Sequence, residues 1–368
     1  MQRETTAAPS ITRREALKAM AMGMAALGLA GCGSGALAQA AGSSDSSESA
    51  QDSSISSGGT IRIGFPSSGQ NFDAGTPLGL ACGKGYLASY LEPLGYTVEA
   101  TGFVGAAPAL HEALVSGDLD LVDYAGFAGI LGKAKGIDTT NIAVTAWGSN
   151  WDLAASPDIA SIADLKGKKV AYQRGATPQM FLIKALAEAG LTFDDIEAVN
   201  ATGPDGLSSL ATGAVDATVC STGQEAALVS QGTAKVLFRG ADGNEATFYE
   251  PFTLVARTEW LQENGDAAVA LLEGYLKAKD ELAADPEAYI SYAAEQSGLS
   301  EEVALGGRSL DDFAAYFPVS LDDEYLDSLK SIQQFELDNS LIGTEIDIDA
   351  WTDATYIDKA SAVYGSES

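Results

Sequence analysis

At 368 residues, 46% hydrophobic and 20% charged, the chain has a globular composition with enough length for two or three cores. Lys and Arg number 21 against 51 Asp and Glu, a formal net charge of −30 at pH 7. That balance argues against nucleic acid or an anionic membrane surface as a partner, and it leaves any anion site to local geometry. The three cysteines, Cys32, Cys82 and Cys220, do not make a disulfide framework; Cys82 and Cys220 read either as two small buried thiols or as a pair formed in an oxidising compartment.

Residues 1–31 have the pattern of a signal peptide, with Arg13 and Arg14 in a basic segment and an apolar run over 19–31 that is too short to span a bilayer. Thr12-Arg13-Arg14-Glu15-Ala16-Leu17-Lys18 resembles the twin-arginine export signal. Leu29-Ala30-Gly31-Cys32 resembles the bacterial lipobox, in which small residues precede the cleaved bond and the Cys32 sulfur carries lipid. Two or more acyl chains at Cys32 give stable membrane attachment, where one does not. Residues 32–59 read as the lipidated cysteine and a Ser/Gly-rich linker that cannot bury enough apolar surface to fold, a tether of roughly 30 Å.

From Thr60 onward, strand-like and helix-like segments alternate. Residues 60–65 are a β-branched run, 78–91 a helix, 96–101 a strand and 107–116 a helix ending at Gly117, a fitting C-terminal cap. Residues 119–124 are extended, 127–135 helical up to Gly136, and 142–147 extended again. This rhythm with short connections predicts a sheet with helices on its faces. A second cycle follows Trp151, with a strand at 168–172 and a helix to Glu188, for which Thr177 is the expected N-cap and Pro178 the first helical residue. Strands at 196–200, 217–220 and 235–238 alternate with helices at 205–211 and 224–229. After a strand at 252–257 the chain is mostly helical, with apolar residues at helical spacing over 261–284 and 325–337.

Several of these stretches carry recognisable wording. Ile61-Arg62-Ile63-Gly64-Phe65 is followed by Lys84-Gly85-Tyr86-Leu87, then by Ala113-Leu114-Val115-Ser116-Gly117-Asp118-Leu119-Asp120. Asp164-Leu165-Lys166-Gly167-Lys168-Lys169-Val170-Ala171 opens the second cycle. Ala185-Leu186-Ala187-Glu188-Ala189-Gly190-Leu191, Gly213-Ala214-Val215-Asp216-Ala217 and Phe252-Thr253-Leu254-Val255-Ala256-Arg257 continue it. In this order they resemble the nitrate/sulfonate/taurine family of ABC substrate-binding proteins, with a type II periplasmic binding-protein fold. The resemblance implies an α/β protein of two lobes: 60–148 with 252–363 in the first, 149–251 in the second, two crossovers as the hinge, and 364–368 as a tail. It also implies a small-molecule ligand between the lobes, ABC permease and ATPase subunits as partners, a monomer, and a place on the outer face of the cytoplasmic membrane.

Loops at strand C-terminal ends then face the cleft. The 66–73 loop offers Ser67, Ser68, Gln70 and Asn71 for hydrogen bonds and Phe72 for packing. Tyr124-Ala125 precede a helix start whose free N–H groups can hold an oxyanion, although Gly126-Phe127-Ala128 departs from the family's Asp-Pro or small polar pattern there. Arg174-Gly175-Ala176-Thr177-Pro178 combines close backbone approach, a hydroxyl and a helix dipole that favours an anion by about 0.3–1 kcal/mol; Thr177 alternatively does no more than cap its helix. Trp147 and Trp151 bracket the first crossover as aromatic walls or hinge packing. Ser221, Thr222, Gln224 and Glu225 follow a strand end; Glu225 suits an amine or is an ordinary first-turn acid. Tyr249 and Glu250 sit at the return crossover, and Asp123 is either a cation receptor or a satisfied strand-end carboxylate. The expected ligand is a small organic anion, such as an alkyl or aromatic sulfonate or a taurine-like compound. The alternatives are a cationic or aromatic nitrogenous ligand of pyrimidine or amine type, or a tethered sensor role.

Enzyme chemistry finds little support. His111 is the single histidine, and no G-x-S-x-G elbow accompanies it. There is no H-E-x-x-H or Cys/His cluster for a metal, and no G-x-x-x-x-G-K-[ST] for ATP. No cofactor is expected.

Overall fold

The computed structural model describes residues 58–67, 76–104 and 106–367. The expected signal peptide, Cys32, the linker up to residue 57, and Ser68, Gln70 and Phe72 lie outside the described residues. Four strands come first: β1 (Thr60–Pro66), β2 (Thr97–Phe103), β3 (Leu121–Ala125) and β4 (Thr139–Gly148). The chain then crosses to a second sheet made of β5 (Trp151–Ala155), β6 (Lys169–Tyr172), β7 (Glu197–Asn200), β8 (Ala217–Ser221) and β9 (Lys235–Arg239). It returns through β10 (Glu250–Arg257) to the first sheet.

The two sheets follow the same plan. Their orders are β2-β1-β3-β10-β4 and β7-β6-β8-β5-β9. In each, three parallel strands are followed by one antiparallel strand that belongs to a crossover, β10 in the first and β5 in the second. The chain therefore forms a two-lobed α/β protein hinged on two crossings. Central strands with both faces covered read as unbroken apolar runs. All five residues of β3, Leu-Val-Asp-Tyr-Ala, are buried, whereas the edge strand β2 is mostly exposed or half-buried.

In the first lobe one core face packs under the helix Gly265–Ala284, with Tyr275 fully buried. The other face packs under Ala106–Ser116, Gly126–Ala134 and Asp323–Asp338. Trp351 closes that side, and a Cβ on Gly129 would stand 2.8 Å from its ring, so only glycine admits this contact. Two smaller clusters fill the faces of the second sheet.

Some element boundaries differ from expectation. The 78–91 helix is two helices, Pro77–Gly83 and Tyr86–Leu91, because Gly85 takes a left-handed φ of 74°. The 261–284 helix is likewise broken into Thr258–Glu263 and Gly265–Ala284 at Asn264. The last strand begins at Glu250 rather than 252, which matters for the hinge.

Candidate functional site

The C-terminal ends of β1, β3, β6 and β8 converge on a cavity of about 120 Å³ between the lobes. The first lobe contributes Phe65, Pro66, Ser67, Thr76, Ala106, Asp123, Ala146 and Phe252 to its lining; the crossover and second lobe contribute Asn150, Trp151, Gln173 and Ser221. Arg308 joins them from the helical return segment.

Local sequence explains each placement. Thr76 caps the helix Pro77–Gly83, its hydroxyl oxygen accepting from the Gly79 N–H at 3.3 Å, while its own O–H donates to Asp123 Oδ2 at 2.7 Å. Thr145 on β4 donates to Asp123 Oδ1 at 2.5 Å. Burial pushes the Asp123 carboxyl up to about 6, and the two hydroxyl bonds restrain the rise. Arg308 follows Gly306 and Gly307, with φ of 61° and 75°. A Cβ on Gly307 would stand 3.4 Å from Thr222 and 3.5 Å from Ala241, so this turn rides directly on the second lobe. The guanidinium lies over the Phe317 ring at 5.2 Å.

Of the residues expected to meet ligand, Ser67, Asp123, Trp151 and Ser221 line the cavity. Tyr124, Ala125, Trp147, Gly175, Ala176, Thr177, Thr222, Glu225 and Tyr249 are not part of its lining. Tyr124 is buried, its ring edge-on to His111 at 5.7 Å. Ala125 leads into the helix Gly126–Ala134, but that helix start already has an acceptor, because Phe127 N–H donates to Glu250 Oε2 at 3.3 Å. Thr177 is not the N-cap; Ala176 is, without a side-chain bond, and Thr177 is the first helical residue. Its hydroxyl is hydrogen-bonded to Glu250 instead, and both are buried. Gly175 donates its N–H to Gln179 Oε1 at 2.8 Å and faces Pro108 and Leu131 of the first lobe. The Gly175-Ala176-Thr177 turn is thus engaged by the first lobe rather than by the cavity.

Trp147 is half-buried, edge-on to Tyr249 at 6.4 Å and to Tyr325 at 5.5 Å, so Trp147 and Tyr249 belong to the hinge. Thr222 donates to Asp152 Oδ1 at 2.8 Å. Glu225 is buried near Cys220 and 3.9 Å from Arg239, which also binds Asp152 at 3.2 Å. Thr222 and Glu225 therefore serve an internal ion-pair network. Cys82 and Cys220 are both free thiols, and His111 donates from Nε2 to Ala128 O at 3.0 Å, with burial lowering it to about 4. Among the described residues no group of His, Cys, Asp or Glu can hold a metal ion.

Sequence reasoning missed Arg308, Gln173, Asn150 and Thr76. A lone arginine behind Gly306-Gly307 in an acidic stretch was the available signal for Arg308. Gln173 and Asn150 carry no local mark beyond standing one residue past a strand or within a crossover.

The NMT1/THI5-like family profile matches residues 98–289, just over half of the chain. The chain belongs to the NMT1/THI5-like family. A protein of Escherichia coli (strain K12) described as an aliphatic sulfonates-binding protein is 30% identical over 202 residues, covering 54% of this chain and 62% of that protein's length. Among solved structures, the alkanesulfonate-binding protein SsuA from Xanthomonas axonopodis pv. citri bound to MOPS superposes with a TM-score of 0.65 at 19% identity, covering 80% of this chain and 98% of SsuA. The desulfurization enzyme DSZB does so at 0.64 and 17%, covering 83% and 99%. This NMT1/THI5-like chain thus shares its fold with both a binding protein and an enzyme, as expected from the general independence of fold and function. The likeness to the sulfonate-binding proteins bears out the resemblance read from the sequence motifs. Ser67 and Arg308 both fall outside the stretch that the NMT1/THI5-like profile matches.

Proposed function

We propose that this chain is the solute-binding component of an ABC importer and captures a small organic anion, a sulfonate or carboxylate, in the interlobe cavity. One observation carries the reading: Arg308 lines a small cavity whose walls come from both lobes, alongside Ser67, Asn150, Gln173 and Ser221. Guanidinium presents donors in a planar fork suited to carboxylate and sulfonate oxygens. The overall negative charge cannot steer an anion in, so the local cation must hold it. The aliphatic sulfonates-binding name of the E. coli relative and the MOPS-bound SsuA structure support this ligand class. Export, anchoring through Cys32 and work as a monomer beside permease and ATPase subunits complete the proposal.

The sulfonates-binding name of the E. coli relative and the SsuA structure support binding rather than turnover. Titration calorimetry of Arg308→Gln against short alkanesulfonates and carboxylates tests the reading. A charge-assisted contact is worth about 1.5–3 kcal/mol, so affinity should fall roughly ten- to hundredfold. An affinity within twofold of wild type would remove Arg308 from the site.

A further inference from the structure

The lobes also meet along a seam outside the cavity lining. The second lobe's helix Thr177–Glu188 turns Thr177, Met180 and Lys184 to the first lobe, a spacing of three and four residues that places them on one face. Met180 is 1% exposed and buried in the same apolar cluster as Leu131, Leu329 and Ile332 of the first lobe. Lys184 Nζ lies 5.2 Å from the centre of the Phe335 ring, and the Thr177 hydroxyl is bonded to Glu250. Just before this helix, Gly175 stands against Pro108 and Leu131.

Two buried acids at this seam are incompletely served. Glu250 opens β10, where the chain crosses back, and accepts from Thr177 and from Phe127 N–H. Its Oε1 has no partner among the described residues, and neither oxygen of Glu336 has one. Buried polar atoms nearly always find a partner. Glu336 lies within electrostatic reach of Glu250. The cationic groups that face the two acids are Lys184 from the second lobe and Lys135 at the end of the helix Gly126–Ala134. Among the described residues neither lysine is close enough to form an ion pair with them. The buried aspartates Asp120 and Asp152, by contrast, are each held by arginine.

An acid in such a seam is favoured in its neutral form, and parting the lobes lets water reach it and restores its ionisation. We propose that Glu250 and Glu336 form a proton-operated latch between the lobes: the acids hold their protons while the seam is shut, and losing them opens it. Burial raises Glu250 to about 7, and burial with the Glu250 charge raises Glu336 to about 9. The shut form therefore binds more protons, so closure is favoured below these values and is lost as pH rises through them. A cavity walled by both lobes keeps its contents only while the lobes stay together, so the latch makes retention firmest at neutral and lower pH. The latch is independent of the ligand's chemistry.

Single-molecule energy transfer on the full-length protein without ligand tests this. Dyes go on Val115→Cys in the first lobe and Val229→Cys in the second, both exposed, with Cys32→Ser and Cys82→Ala so that no other accessible thiol takes dye. The shut-to-open ratio should fall about tenfold or more between pH 7 and 9.5, one proton allowing at most about tenfold per unit. With Glu250→Gln and Glu336→Gln together it should change by less than about twofold. Should that pair not fold, Glu336→Gln alone decides, its response ending near the Glu250 range instead of running on toward 9. Asp123 and Asp152, raised to about 6, and His111, lowered to about 4, have largely titrated before this window. Burial lowers Lys184, so Lys184→Met is the control: a response kept there supports the acids, and one lost there but kept in the Gln variants overturns them as its origin. A wild-type ratio flat with pH overturns the latch. Loss of far-ultraviolet circular dichroism over the same range also overturns it, because the lobes are then unfolding rather than parting.

Discussion

Glu336, on the helix Asp323–Asp338, is fully buried, and among the described residues neither of its carboxylate oxygens has a hydrogen-bond partner. Burial, with the nearby Glu250 charge adding to it, pushes Glu336 up to about 9, and burial pushes Glu250 up to about 7. Lys184 offsets part of the Glu250 shift; its Nζ donates to Thr247 O at 2.6 Å and lies 5.2 Å from the Phe335 ring centre. An unfolded chain releases the Glu336 proton above about 4.5, whereas the folded chain keeps it to about 9. The folded state then binds more protons over that interval, so stability is greatest below it and is lost as pH rises toward 9. Glu336→Gln removes the ionisable acid while keeping its shape. Its melting temperature should exceed wild type by several degrees at pH 8 and match it within about 2 °C at pH 4.5. Thermal unfolding at the two pH values measures this, and an equal shift at both would show that ionisation is not involved.

At the scale of elements, the turn that carries Arg308 depends on two successive left-handed glycines seated against Thr222, Ala241 and Asn150. Left-handed backbone costs a residue with a Cβ roughly 1–2 kcal/mol. Gly307→Ala should therefore lower the stability of the free protein by about 1–2 kcal/mol, and its melting temperature by a few degrees. Thermal unfolding measures this, and an unchanged melting temperature would show that the turn adapts without strain. The helix starts show why caps are read more easily than ligand sites. Thr76 and Thr202 cap as their residue type suggests, each accepting from a backbone N–H of the following helix. Thr177 has the same chemistry one position too late, and its hydroxyl goes to Glu250 from another element. Similarly, one of the free N–H groups of the helix Gly126–Ala134, that of Phe127, is served by Glu250, which enters from β10.

For the whole molecule, two sheets of matching strand order meet through two crossings, and the strand ends that form the cavity belong to segments far apart in the chain. The proposed anchor acts at this scale too, since it fixes where the lobes work rather than how they fold. Cys32→Ser should abolish incorporation of radioactive palmitate and release the protein from the membrane fraction, with the two-lobed body still folded. Palmitate labelling that persists in the variant would reject the lipobox reading.

The sequence by itself determined the α/β alternation, most helix ends and the family, because each rests on local chemistry: apolar periodicity, glycines that take left-handed angles and short ordered motifs. It also marked Ser67, Asp123 and Ser221, which stand in or just after strands, and Trp151 at a crossover. Tertiary structure decided which polar groups face the cavity. Thr222 and Glu225 turned inward because Arg239 and Asp152 are there to meet them. Arg308 reached the site because a distant turn lands on the second lobe. Whether a buried side chain finds its partner in the protein or is left facing an open cavity depends on contacts between segments remote in sequence, and no local pattern encodes that outcome.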